Sequence, residues 1–231
     1  MTLDANDAPK PIATVDLAIF TLSLEGLDVL LIRRENAPFA GMWALPGGWI
    51  HIDEDGDLEA TARRVLKEKT GVETPYLEQL QTTGNADRDP RGWSLSVVYV
   101  ALISPDDLVS SQDAIAENAA WQPIEGNGVS VPLAFDHARI LEGAVTRIRS
   151  KVEYSSMPAH LLPAQFTLGE LQSVYERLLG RKLDKSAFRK RLAEVDFLAP
   201  VPGEMRRASN RPAQIYRLKE SQSLVLFNRT I

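Results

Sequence analysis

Hydrophobic and polar positions change period several times along the chain, and each change marks an element. From Ile12 to Leu22 the residues are mostly aliphatic or β-branched, and a second such run, Val29 to Ile32, follows Glu25-Gly26, which predicts two strands joined by a turn. The period then lengthens. Leu58, Ala62, Val65, Leu66 and Lys69 recur at helical spacing, Asp57 is a fitting N-cap and Gly71 a left-handed stop, so a helix is predicted from Asp57 to about Thr70. Leu95 to Leu102 predicts a strand after the polar loop Asp87 to Trp93. Leu133 to Arg149, beyond Ala120-Trp121-Gln122-Pro123, predicts a helix that closes a first domain. Strands interspersed with helices and no long parallel repeat predict an α/β sandwich.

The pattern restarts after Pro158 and Pro163, which mark a linker. Thr167-Leu168-Gly169-Glu170 is a capping box that opens a helix to about Leu179, and Gly180 ends it. Asp184 caps a second helix, Lys185 to about Val195, with Phe188, Leu192 and Val195 on one face and Lys185, Arg189, Lys190 and Arg191 on the other. Leu198 to Val201 and Gln214 to Leu218 pair as a hairpin whose tip, Gly203 to Pro212, carries Arg206, Arg207 and Arg211. Helix, turn, basic helix and basic hairpin resemble a winged helix-turn-helix, and the cations concentrate where that fold meets DNA. A small helical appendage with solvated Lys and Arg is the competing reading.

Charge sharpens the division. The chain of 231 residues has a formal charge of −5, but residues 1–154 carry −11 and residues 155–231 carry +6, the asymmetry of an acidic sensor fused to a basic binding module. We therefore expect a disordered N-terminus over residues 1–10, an effector-binding domain over 11–154, and a DNA-binding domain with an apolar tail over 155–231. With no cysteine there are neither disulfides nor thiolate metal sites, and His51, His137 and His160 are too scattered for zinc. No basic and apolar leader and no run of roughly 18 apolar residues is present, so the expectation is a cytoplasmic protein with no membrane partner.

The chemistry lies in Leu45-Pro46-Gly47-Gly48 followed by Arg64-Val65-Leu66-Lys67-Glu68-Lys69-Thr70-Gly71-Val72. This stretch resembles a Nudix box, in which a Gly, a Glu, and then Arg-Glu-aliphatic-any-Glu-Glu-any-Gly-aliphatic frame a pyrophosphate-hydrolysing site. Counting back from Gly71, Arg64 and Glu68 match, while Val65 and Lys69 fall on carboxylate positions. Magnesium is a hard ion held by clustered carboxylates and substrate phosphates, so this substitution works against hydrolysis. The interval from Gly48 to Gly71 is 23, two longer than the usual box, with the extra residues in the acidic loop His51 to Gly56. Glu54 sits where the first Glu is expected counting forward from Gly48. A solvated turn of Asp53, Glu54 and Asp55 is the alternative.

Arg34 to Gly48 is similar to the approach to the box in the ADP-ribose branch of the Nudix superfamily, and Leu133-Ala134-Phe135-Asp136-His137 to a later segment of that branch. With a winged helix behind it, the chain resembles the Nudix-related transcriptional regulators of NAD metabolism, the NrtR family. The resemblance implies a Nudix α/β/α sandwich followed by a C-terminal winged helix-turn-helix, in a homodimeric repressor of NAD biosynthesis and salvage genes. Such a repressor binds an inverted-repeat operator in double-stranded DNA, senses ADP-ribose without hydrolysing it, has no catalytic residue and requires no cofactor.

Expected ligand residues are Arg34, Phe39, Trp43, Gly47, Gly48, Arg64, Glu68, Lys69, Arg88, Arg91 and His137. Arg33, Arg34, Arg88 and Arg91 offer forked donors to phosphate, and Phe39, Trp43 and Trp93 offer faces to adenine. Core packing for Phe39 and Trp43, loop charges for Arg88 and Arg91, and a buried hydrogen-bonded role for His137 compete with these roles. For Arg64 the family's matching position implies an anchor of the box loop. The Lys69 ammonium either attracts the pyrophosphate where the metal would sit or serves the helix dipole. Expected DNA contacts are Lys185, Arg189, Lys190, Arg206, Arg207 and Arg211. The competing function is a weak nucleoside-diphosphate-sugar hydrolase using Glu68 with Glu54 or a loop acid, with magnesium required only in that case.

Overall fold

The computed structural model describes residues 10–74, 76–110, 116–207, 212–219, 224–228 and 230–231. Arg211 and most of the expected N-terminal segment lie outside the described residues. Among the described residues, seven strands form one mixed sheet: β1 (Ile12–Leu22), β2 (Leu27–Arg33), β3 (Trp43–Ala44), β4 (Gly47–Trp49), β5 (Tyr76–Asn85), β6 (Ser94–Leu102) and β7 (Ala119–Pro123). The helices of this unit are α1 (Leu58–Thr70), α2 (Pro105–Ser110) and α3 (His137–Val152). β1 and β6 run parallel over nine residue pairs at the centre, with β5 antiparallel beyond β6.

One departure from a regular ladder creates the site. The C-terminal end of β1 pairs with β2, Phe20 to Leu22 against Val29 to Leu27, whereas its N-terminal part, Thr14 to Asp16, pairs with β4, Trp49 to Gly47. β3 pairs with the far end of β2 at Ile32 and Arg33. β1 and β2 thus splay apart, and β3 and β4 fill the wedge.

Alternation along β1 assigns its faces. Val15, Leu17 and Ile19 join Ala62, Val65 and Leu66 of α1 in one core, while Ala18, Phe20 and Leu22 join Ile140, Leu141, Val145 and Ile148 of α3 in another. The sheet therefore lies between helices. The α3 core continues without a break into the second unit, through Met157, Phe166, Leu171, Tyr175, Phe188 and Phe227.

That unit comprises β8 (Phe166–Thr167), α4 (Leu168–Leu179), α5 (Lys185–Ala193), β9 (Leu198–Arg206) and β10 (Ala213–Leu218), with the strands in the order β8-β10-β9. The capping box at Thr167 and Glu170 and the left-handed stop at Gly180 are both formed. Asp57 and Asp184 accept from the backbone N–H groups of Ala60 and Ala187, as N-caps should.

Several expectations are corrected. The helix expected from Leu133 begins at His137, because the Ala134 N–H donates to the Trp43 carbonyl and Phe135 takes a positive φ of 55°, so the chain there is fixed against β3. The helix expected to reach Val195 ends at Ala193, and the hairpin strands are longer than expected. The expected linker is a packed joint: residues 155–161 are all buried and Met157–Leu161 form a 3₁₀ helix. Tyr175 of α4 donates to the Ser155 carbonyl at 2.6 Å. The apolar tail packs on the same joint. Ser156 N–H donates to Val225, Phe227 N–H to Tyr154, and Ile231 N–H to Glu153, while the Phe227 ring meets Phe197 at 5.8 Å. Among the described residues no helix is long and apolar enough to cross a membrane.

Candidate functional site

Over the wedge between β1 and β2 lies a cleft of about 310 Å³. Its walls come from Thr14 and Asp16 of β1, Ile32 and Arg33 of β2, Gly47 to Trp49 of β4, Lys69 of α1, the Arg88–Arg91 loop, and Phe135 and His137 at the start of α3. Five cations line it, Arg33, Arg34, Lys69, Arg88 and Arg91, against the three carboxylates Asp16, Glu35 and Asp89. That balance suits a multiply charged anion.

The glycines of the box are demanded by close approach. A Cβ on Gly47 would collide with the Asp16 carboxylate, and one on Gly48 would sit 2.8 Å from Cγ2 of Val65. Val65 is buried beneath Gly48, and Lys69, four residues later on the same stripe of α1, reaches the cleft. Of the two positions where the Nudix pattern has carboxylates that this chain lacks, one thus lines the cleft, at Lys69, and the other, Val65, lies buried directly under the Gly48 backbone that lines it.

Arg64 and Glu68 occupy the neighbouring stripe and do not line the cleft. Arg64 grips Asp55 through Nε and Nη2, both at 2.8 Å, donates to the Trp49 carbonyl at 2.9 Å and meets Glu68 at 3.1 Å. The Arg64 hydrogen bond holds Asp55 far below the ordinary carboxylate range, and Asp55 in turn raises Arg64. The acidic loop therefore divides: Asp55 is clasped, Glu54 is exposed beside His51 at 3.2 Å, and Asp53 is exposed. Among the described residues no three His, Asp or Glu side chains are grouped to hold a metal ion.

A buried charge network forms the floor. Arg88 donates to Asp136 at 3.0 Å and to Asp16 at 3.5 Å. Burial works against ionising Asp136, yet the Arg88 hydrogen bond and charge carry it below its ordinary value. His137 Nδ1 accepts the Leu45 N–H at 2.9 Å, which puts the ring proton on Nε2, 3.7 Å from Asp16. Burial lowers His137, so it is a neutral strut between the box and α3.

On the walls, Arg91 forks onto Asp89, with Nη2 at 2.7 Å, and lies 5.4 Å from the Trp49 ring centre. Arg34 lies 4.6 Å over Phe135, donates to the Pro38 carbonyl at 2.8 Å, and is lowered by burial and then by Arg91. Phe39 meets Phe135 edge-on at 4.8 Å but does not line the cleft. Trp43 packs on the core from β3, and Trp93 is half exposed away from the cleft. Sequence reasoning did not single out Asp16, Asp89, Trp49, Phe135 or Asn118. Asp16 left a signal, an acid in the middle of an otherwise apolar strand.

In the second unit, α5 buries Phe188 and Leu192 and exposes Lys185, Arg189 and Lys190. Arg207 is exposed at the end of the hairpin. Arg206 is tied back to Glu170 at 2.5 Å and to the Gln165 carbonyl at 3.2 Å.

A sheet between α1 and α3, with a Gly-Gly box and its Arg anchor, followed by a two-helix and hairpin unit with a basic face, defines a Nudix domain joined to a winged helix DNA-binding domain. Residues 13–143 match the NUDIX domain and residues 158–218 the NrtR DNA-binding winged helix domain. Over 212 residues the chain is 44% identical to the ADPR responsive transcriptional repressor NtrR of Acinetobacter baylyi, spanning 92% of this chain and 84% of that protein. Shewanella oneidensis NrtR in complex with a 27mer DNA superposes with a TM-score of 0.86 at 42% identity, over 95% of this chain and 99% of that one. The NUDIX domain of the same protein in complex with ADP ribose gives a TM-score of 0.56 at 44% identity, over 63% of this chain and 93% of that one. The chain belongs to the NrtR family.

Proposed function

We infer that this protein is a transcriptional repressor that binds operator DNA through α5 and the β9–β10 hairpin and releases it when ADP-ribose fills the cleft. The observation that carries this reading is the span of α3. The helix begins at His137 on the cleft floor and ends at Val152, in a core shared with α4 and α5. A ligand can shift a remote equilibrium only by its differential affinity for two arrangements, and α3 links the cleft floor to the core on which the DNA-binding unit packs. The names of the Acinetobacter and Shewanella relatives support the same ligands.

The reading extends to genes of NAD biosynthesis and salvage, to a cytoplasmic homodimer on an inverted repeat, and to an effector domain over residues 11–154 with a DNA-binding domain over 155–231. Two winged helices related by a two-fold axis read two half-sites, where one reads only a few base pairs. Turnover of ADP-ribose is negligible. The carboxylate retained from the box, Glu68, lies on the outward stripe of α1 paired with Arg64, which disfavours the hydrolase alternative.

The test is reciprocal. ADP-ribose affinity is measured with and without a saturating duplex that this chain has selected from random-sequence DNA. A coupling of about 1–3 kcal/mol weakens binding roughly 5- to 150-fold. Equal affinities would show two independent sites and end the regulatory reading.

A further inference from the structure

The cations of the cleft differ in how they are engaged. Arg88 is committed to Asp136 and Asp16, Arg91 to Asp89, and Arg34 to the Pro38 carbonyl and the Phe135 ring. Lys69 lines the same cleft, and its ammonium has no hydrogen-bond or ion-pair partner among the described residues. A cation on a partly buried residue, with no counter-ion among the described residues, is open to an incoming anion.

Its position on α1 gives it a second meaning. Residue 69 stands where a Nudix box has a carboxylate, four residues beyond Val65, whose methyl group fills the space over Gly48 at the other such position. The residues present do not fit a magnesium ion. One position is a hydrocarbon, the other is a cation, and the retained Glu68 is held by Arg64 outside the cleft. We propose that the Lys69 ammonium itself receives the diphosphate of the nucleotide, so that the cleft takes its ligand as the free anion with no divalent cation. The proposal rests on the effector reading above and adds to it the charge that replaces the metal.

Two consequences separate it from the helix-dipole role open to any lysine in a last turn. Magnesium cannot raise affinity, since a metal-bound diphosphate presents less charge to Lys69. A carboxylate at this position would restore an oxygen ligand and make binding depend on the metal.

The experiment is calorimetric titration of the full chain with ADP-ribose, in EDTA and in millimolar magnesium chloride. Wild-type protein should bind in EDTA with no gain from magnesium. Lys69→Gln should weaken binding about tenfold or more, the loss of one charge-assisted contact, in both buffers. Lys69→Glu should weaken it further in EDTA and recover in magnesium. Lys67→Gln, from the same turn but paired outward with Glu73 at 2.6 Å, should bind as wild type and serves as the control for the helix end. Undiminished binding by Lys69→Gln in EDTA, or a wild-type protein that binds only with magnesium, would overturn the proposal while leaving ADP-ribose as the effector. A wild-type protein that binds in neither buffer would overturn the effector reading and this proposal with it.

Discussion

Arg88 Nη2 donates to Oδ1 of Asp136 at 3.0 Å, and this bond joins the loop before β6 to the residue that immediately precedes α3. The same guanidinium reaches Asp16 on β1, so one buried cation holds three separate segments at the floor of the cleft. With one cation between two carboxylates the floor has no positive charge to spare, so the charge of an anion entering above it is met by the groups on the walls.

Replacing Arg88 with Met should therefore cost stability before it costs binding. Asp16 would be left buried without its cation, and the half-buried Asp136 would keep as cation only Arg139, at 3.6 Å, a loss of about 3 kcal/mol. Urea unfolding of the purified variant measures it, and a change under 1 kcal/mol would mean that the network is solvated.

His160 gives a pH dependence. The ring is buried against Tyr76, at 4.9 Å, with neither nitrogen hydrogen-bonded, and burial lowers its pKa from 6.5 to about 4. Between those values the unfolded chain binds a proton that the folded chain does not. Stability is therefore full above 6.5 and is lost as the pH falls toward 4, by about 3 kcal/mol. His137 shifts in the same direction, so the quantity to measure is the difference between wild type and His160→Phe in denaturant midpoints across this range. Parallel curves would defeat the assignment.

Gly48 and Val65 should be coupled. Gly48→Ala forces a methyl group against Cγ2 of Val65 and should cost about 2 kcal/mol. In the Gly48→Ala, Val65→Ala double variant the combined cost should fall short of the sum of the single costs by about 1 kcal/mol, because the truncated side chain makes room. Strict additivity would show that the two do not touch.

On the DNA side, phosphate contacts appear in the salt dependence of binding. Arg189→Ala and Arg207→Ala should each reduce the slope of log K against log salt by about 1. Arg206→Ala should reduce it less, since this guanidinium must first leave Glu170. Charge reversal at Arg189 and Arg207 together should abolish gel-shift binding, and retained binding would move the interface elsewhere.

Much of the scaffold was legible in the sequence because its signals are local. The caps at Asp57, Thr167 and Asp184 and the stops at Gly71 and Gly180 state their elements within a few residues. β5 and β7 were missed, since their half-buried faces mix polar with apolar residues and lack strong alternation. The site was legible where a motif carries it, at Gly47, Gly48 and Lys69. It was opaque where long-range pairing makes it: nothing near Arg88 in sequence announces that Asp16 and Asp136, 72 and 48 residues away, will take up its charge. Pro158 misled for a related reason. A proline ends a helix whether the next segment is exposed or buried, and only the contacts with Tyr175 and Val225 decide which.

The packing of Val225, Phe227 and Ile231 on the joint also bears on how the molecule is held together. The bond between the Val225 N–H and Ser156 Oγ spans 69 residues, with the entire winged helix inside the loop that it closes. Contacts of such separation carry a loop-closure cost and form after local ones. The tail thus adds contacts of long reach to a joint that the α3 core and the Tyr175 bond to Ser155 already form. A chain cut before Leu224 would keep that core but lose the clasp that closes the winged helix back onto the end of α3.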